Sequence, residues 1–136
     1  MYIPALIAHD DPRMRSALRS LLEGDGYSVM EAVDTESALE TLRESERCMV
    51  VLFSVTLFDN AMTGADGIAI LGAAAHDAHL ADQHAFVVIT PTPENVEVVF
   101  GRMLERIGAP IVAEPVNPEK LSRAIADAER RLLVTA

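Results

Sequence analysis

Residues 5 to 15 read ALIAHDDPRMR, four apolar side chains that end in His9, Asp10 and Asp11 before Pro12. A short apolar run of this kind reads as a buried strand, and the polar cluster marks where that strand leaves its sheet. Pro12 suits the first position of a helix, where its missing N–H is no loss, and Asp11 suits the cap. In an open α/β sheet, acids at the carboxyl end of a strand lie where ligands usually bind. An isolated acidic pair also serves as a cap and a solvated surface, so the rest of the chain has to decide.

The pattern set by this stretch repeats. Met14, Ala17, Leu18, Leu21 and Leu22 recur at helical spacing, with Gly24 and Gly26 as a stop. Tyr27 to Ala32 alternates as a strand, and Asp34 or Thr35 caps a helix with Ala38, Leu39 and Leu42 inward. Met49 to Phe53 is a continuous apolar run suited to a central parallel strand covered on both faces. After a loop containing Asp59, Asn60, Gly64, Asp66 and Gly67, Ile68 to Leu80 reads as a third helix, and Phe86 to Ile89 as a fourth strand. Thr92-Pro93-Glu94 opens a fourth helix whose inner stripe is Val96, Val99, Phe100, Met103, Leu104 and Ile107, ending at Gly108. Ile111 to Ala113 is a fifth strand, and Asn117-Pro118-Glu119 opens a fifth helix with Leu121, Ala124, Ile125, Ala128 and Leu132 inward. Five βα units require a parallel sheet with right-handed crossovers, and the strand order expected at this length is 2-1-3-4-5.

Composition bounds the rest. The 136 residues suit one domain spanning 1–136. No apolar run reaches the ~18 residues of a membrane span, and a basic-then-apolar leader is missing, so a soluble cytoplasmic protein is expected. Cys48 has no second cysteine for a disulfide or thiolate metal site and reads as a small core hydrophobe. With 21 acids against 11 Lys and Arg, the net charge of −10 repels a phosphate backbone and favours protein partners over nucleic acid. His76, Asp77, His79 and His84 look like metal ligands but fall on a helix end and loop, where solvated surface is the simpler reading. The loop at Asn60 to Ala65 lacks the glycine spacing and lysine of a P-loop. Flavin stacking lacks a suitably placed aromatic, with no Trp and with Tyr2 and Tyr27 outside the relevant loops.

Over residues 4 to 133 the sequence resembles the receiver domain of two-component response regulators, a doubly wound flavodoxin-like fold with five helices. The matching pieces occur in order: His9-Asp10-Asp11-Pro12 with Arg15; Gly26-Tyr27-Ser28-Val29 and Glu36-Ser37-Ala38-Leu39; Asp66-Gly67 before a helix; Val87 to Thr90; Gly108-Ala109; and Glu114-Pro115-Val116. The resemblance implies that two acids after the first strand hold Mg²⁺, an Asp ending the third strand accepts a phosphoryl group, and a Lys before the proline neutralises it. It also implies a cis bond between Glu114 and Pro115.

The pocket departs from that pattern. His9 replaces the first acid, Asp10 keeps the second, Asp11 follows, and Glu114 reverses the charge of the lysine, while Thr90 keeps the signalling hydroxyl. Read from the strand, Phe53-Ser-Val-Thr-Leu-Phe-Asp59 puts Ser54 at the acceptor position. Read backwards from Asp66-Gly67, Asp59 occupies it. The first register places the extra residues in a loop, which tolerates them better than a buried strand does. Ser54 can donate to Asp10 or His9, and a Ser-His hydrolase pair lacks an orienting acid beyond Asp10. His9 and Glu114 form either an ion pair that closes the site and titrates near neutral pH, or two solvated side chains.

The resulting expectation is a degenerate receiver that binds proteins without phosphorylation, is not an enzyme and needs no cofactor. The alternative is an active phosphoreceiver using Asp59 as acceptor and Mg²⁺ held at Asp10. The resemblance implies a partner face on the fourth helix, fifth strand and fifth helix, for signalling proteins or self-association, with no nucleic acid or membrane. Val98, Arg102, Arg106, Ile111, Arg123 and Arg130 are its candidates, with Val98 exposed at the centre, Arg131 adding to the basic character of the fifth helix, and Ile111 or Val112 where an aromatic belongs.

Overall fold

The computed structural model describes residues 3–9, 11–55 and 67–135. The order of elements is β1 (Ile3–Ala8), α1 (Pro12–Gly24), β2 (Tyr27–Glu31), α2 (Thr35–Glu44), β3 (Val50–Ser54), α3 (Gly67–His76), α4 (Ala78–Gln83), β4 (Ala85–Thr90), α5 (Pro93–Ile107), β5 (Ile111–Ala113) and α6 (Pro118–Thr135). The five strands form one parallel sheet in the order β2-β1-β3-β4-β5. Phe53 packs edge-on against Phe86, with ring centroids 6.1 Å apart, among the apolar side chains beneath α2, α3, α4 and α5. The opposite face packs Ala5, Ile7, Leu52 and Val87 against Leu18 and Leu22 of α1 and Leu121, Ile125 and Ala128 of α6. Residues of β3 and β4 are buried on both faces, which explains why these strands read as unbroken apolar runs rather than as alternation.

Among the described residues six helices are present where five were expected. The stretch read as one third helix breaks at Asp77, whose extended backbone (φ −125°, ψ 102°) lets its carboxylate accept the His79 N–H and cap α4. An Asp at a cap competes with continuation of the helix by offering the backbone its own acceptor. The inner stripe of α5 is also narrower than expected: Val96, Leu104 and Ile107 are buried, whereas Val99 is 58% exposed. Cys48 is exposed just before β3 and is not a core residue.

His84 is a further correction, because it is fully buried. Its Nδ1 accepts the Met49 N–H at 3.1 Å and its Nε2 donates to the Leu42 carbonyl at 2.9 Å, joining the end of α2 to the start of β3. Burial holds its imidazole below the ordinary histidine pKa range, with His79 adding a smaller push in the same direction. At the other edge, the Tyr27 hydroxyl donates to Glu129 at 2.9 Å and ties β2 to α6. Burial, then the bond and charge of Glu129, push the Tyr27 phenol above its usual range. Among the described residues, no helix is long and apolar enough to cross a membrane.

Candidate functional site

The carboxyl edge of the sheet collects the ends of β1, β3, β4 and β5. At the end of β1, Asp11 caps α1 as expected, its Oδ1 accepting the Arg13 N–H at 2.9 Å. The Asp11 N–H turns back and donates to His9 Nδ1 at 3.1 Å. That bond makes Nδ1 the acceptor, so the proton of the ring sits on Nε2, and Nε2 donates to Glu114 Oε1 at 3.0 Å. His9 and Glu114 therefore meet rather than standing as two solvated side chains, and in this tautomer the contact is a hydrogen bond to a carboxylate. Their side chains are only 11% and 19% exposed. The His9 carbonyl accepts from Arg15 Nη1 at 2.6 Å, and Arg15 Nε reaches Glu31 at 3.2 Å, which links the β1 end to the β2 edge.

Glu114 is placed by the strand before it. β5 pairs with β4 so that Ala113 lies opposite Thr90, and the Glu114 N–H donates to the Thr90 carbonyl at 2.9 Å. The Glu114–Pro115 bond is cis. Thr90 is fully buried, and its hydroxyl accepts the Thr92 N–H at 3.1 Å. Ser54 ends β3, in register with Ile89, at the same edge of the sheet. Gly67 opens α3 directly above it: a Cβ at Gly67 would fall 1.6 Å from the Ser54 carbonyl oxygen, so only glycine permits this approach. Asp10 and Asp59, with Asp66, lie outside the described residues.

A hard cation such as Mg²⁺ takes oxygen ligands. Here both nitrogens of His9 are engaged, one Glu114 oxygen is taken by His9, and Asp11 Oδ1 is taken by the cap of α1. Among the described residues no group of three or more His, Cys, Asp or Glu could hold a metal ion. Asp10, where the alternative places Mg²⁺, lies outside the described residues.

Of the six residues expected to form one partner face, Val98 and Arg102 line one groove, Ile111 a groove that adjoins it, and Arg123 a third. Val98 is 84% exposed on the outer side of α5, as expected. Arg106 turns toward α3 and donates to the Ala75 carbonyl at 3.2 Å. Ile111 lines a groove with Gly101, Leu104 and Pro110 that adjoins the one lined by Val98 and Arg102, the two sharing Glu97, Gly101 and Glu105. Arg123 lines a third groove beside Leu21 and Asp25 of α1, while Arg130 pairs with Asp127 on α6. Arg102 is exposed on α5. Arg131, read as part of the basic character of α6, instead donates to the Ala81 and His84 carbonyls at the end of α4. Sequence reasoning missed the anchoring roles of His84 and Arg131. An isolated His directly before AFVVI was the available signal for the first, and nothing local signals the second.

A five-stranded parallel sheet in this order, with acid, imidazole and hydroxyl side chains gathered at its carboxyl edge, defines a receiver-type signalling domain. The family model described as the response regulator receiver domain matches residues 5–126, and the chain belongs to that family, the receiving module of two-component signalling. A curated relative, the transcriptional regulatory protein AfsQ1 of Streptomyces coelicolor, is 29% identical over 126 residues, covering 93% of this chain and 51% of the relative. The chain thus spans about half the length of that relative. Similar solved structures include chemotaxis response regulator CheY4 of Vibrio cholerae, with TM-score 0.70 and 20% identity over 94% of this chain and 99% of that one. A sensor protein from Polaromonas sp. JS666 gives TM-score 0.72 and 24% identity, covering 98% of each chain. The signal receiver domain of an HD domain-containing protein from Pseudomonas fluorescens Pf-5 gives 0.75 and 16%, over 98% of this chain and 91% of that one. At these identities the three structures bear on the fold alone.

Proposed function

We propose that this receiver is degenerate, a protein-interaction module of two-component signalling that works without Mg²⁺-dependent aspartyl phosphorylation and is not itself an enzyme. The observation that carries this reading is the hydrogen bond from His9 to Glu114. By resemblance, Glu114 stands where a lysine would neutralise the phosphoryl group and His9 where the first metal-binding acid belongs. A phosphoryl group brings about two negative charges. A carboxylate in the lysine position adds repulsion of the same sign, and the acid that would help to offset it by holding a cation is an imidazole already bonded to that carboxylate. Ser54 at the acceptor position would also offer no carboxylate from which to form an acyl phosphate.

A surface that is not toggled can still be read by a partner. α5 is the element best suited to this, because Val98 and Val99 are its most exposed large apolar residues, at 84% and 58%. The net charge of −10 favours signalling proteins over nucleic acid as partners. The test is nuclear magnetic resonance of the labelled chain with Mg²⁺ and beryllofluoride, a mimic of the acyl phosphate. Unchanged amide signals at Thr90, Ala113 and Glu114 are expected. Saturable shifts at those residues would contradict the proposal and favour an active receiver using Asp59.

A further inference from the structure

The sheet ends in two edge strands, β2 and β5, and the two are finished differently. An edge strand presents unpaired N–H and C=O groups on which another strand can add. At β2 the Ala32 N–H donates to the Ile7 carbonyl, which by alternation along the strand turns the backbone of Val29 outward. There Arg19 Nη2 donates to the Val29 carbonyl at 3.1 Å, and Arg15 and Arg19 both bond the Glu31 carboxylate. Side chains of α1 thus block that edge.

β5 has no such cover among the described residues. The Val88 N–H donates to the Pro110 carbonyl and the Glu114 N–H to the Thr90 carbonyl, so Val112 between them bonds β4, and the backbones of Ile111 and Ala113 point away from the sheet. No side chain bonds either of them. Two outward residues offer two donors and two acceptors, too few to hold a strand alone. The groove beside this edge adds to them: Leu104, Ala109, Pro110 and Ile111 line it with Glu97 and Glu105. Its only charged residues are those two acids, and neither makes an ion pair among the described residues. Arg102 lines only the adjoining groove, which the same two glutamates border.

We infer that β5 accepts an added strand from a partner protein, an extended segment that carries apolar residues together with Lys or Arg. This deepens, and rests on, the reading of the chain as an interaction module. Backbone pairing with Ile111 and Ala113 aligns the guest, its apolar side chains cover Pro110 and Ile111, and its cations meet Glu97 and Glu105. A second copy is the poorer occupant. Antiparallel pairing of β5 on another β5 would bring two acidic grooves together on one side of the joined sheet, in a chain of net charge −10.

The test titrates the labelled full chain with a synthetic peptide of about nine residues, Val alternating with Thr between pairs of Lys, the length of one strand and its flanks. A second peptide carries Glu in place of Lys. The Lys peptide is expected to bind saturably and to slow hydrogen exchange at the Ile111 and Ala113 N–H groups at least about tenfold, while Val112, already bonded to β4, changes little. Ala113→Pro removes an outward donor but no bond to β4, and is expected to weaken binding several-fold. Glu97→Gln combined with Glu105→Gln leaves the strand untouched and should weaken it likewise. Equal or tighter binding of the Glu peptide overturns the inference, as does no binding, or binding that leaves exchange at Ile111 and Ala113 unchanged. Protection of the same two amides that rises with chain concentration in the absence of peptide would make the occupant a second copy and also overturn it. No phosphoryl donor is present, so failure here leaves the beryllofluoride result, and the reading it tests, standing on its own.

Discussion

His9 Nε2 lies 3.0 Å from Glu114 Oε1, joining the end of β1 to the segment after β5 across the carboxyl edge of the sheet. The two residues are 105 positions apart in sequence, and each is held by its own backbone setting, His9 by the Asp11 N–H and Glu114 by the Thr90 carbonyl. A partly buried hydrogen bond to a charged group contributes about 1.5–3 kcal/mol. His9→Ala and Glu114→Ala combined in a double-mutant cycle should therefore show a coupling of at least about 1 kcal/mol in chemical denaturation. Glu114→Gln keeps an acceptor oxygen and should lose less than Glu114→Ala. Strict additivity of the two alanine variants would contradict the bond.

His84 should be the histidine on which acid stability depends. Burial lowers its folded pKa, so the folded chain resists the proton while the unfolded chain accepts it near the ordinary value of about 6.5. Its contribution is complete above that pH, declines below it, and stops falling once the folded site takes up its proton. The Leu42 carbonyl favours the charged ring and partly opposes the shift. The stability difference between the wild type and His84→Gln should shrink from pH 7.5 to 5, with the other histidines common to both. A difference independent of pH would contradict the assignment.

Gly67→Ala should destabilise the fold by roughly 2–4 kcal/mol, because its methyl group would overlap the Ser54 backbone and force the start of α3 off β3. Gly72→Ala is the control, since the nearest atom to its added carbon is the flexible end of Met103 at 3.8 Å. Equal melting temperatures for the two variants would overturn this account of the close approach.

Phe53→Ala removes a buried ring from the central strand and breaks the edge-on contact with Phe86. The expected loss is about 3–5 kcal/mol in urea denaturation. A loss below about 1 kcal/mol would show that the core closes around the gap.

The strands and their order were legible because parallel strands buried on both faces write themselves as apolar runs, as at Val50–Phe53 and Phe86–Ile89. The caps at Asp11 and Asp34 were legible for a local reason, an acid next to the N–H groups it accepts. The break at Asp77 was not, because the apolar residues continue through it to the buried Leu80 and only the cap geometry separates α3 from α4. Val99 was misplaced because the helical period does not say how wide a face the neighbouring helix covers. His84 and Arg131 bond to backbone carbonyls of distant segments, and no local pattern encodes such partners. The meeting of His9 with Glu114 followed only from aligning both with the receiver pattern.

Intact mass spectrometry after incubation with acetyl phosphate and Mg²⁺ tests the degenerate reading most directly. The predicted result is an unchanged mass for the wild-type chain, under conditions in which a phosphorylatable receiver run in parallel gains one phosphoryl group. A labile gain of one phosphoryl group that disappears in Asp59→Asn would contradict the account and establish an active receiver.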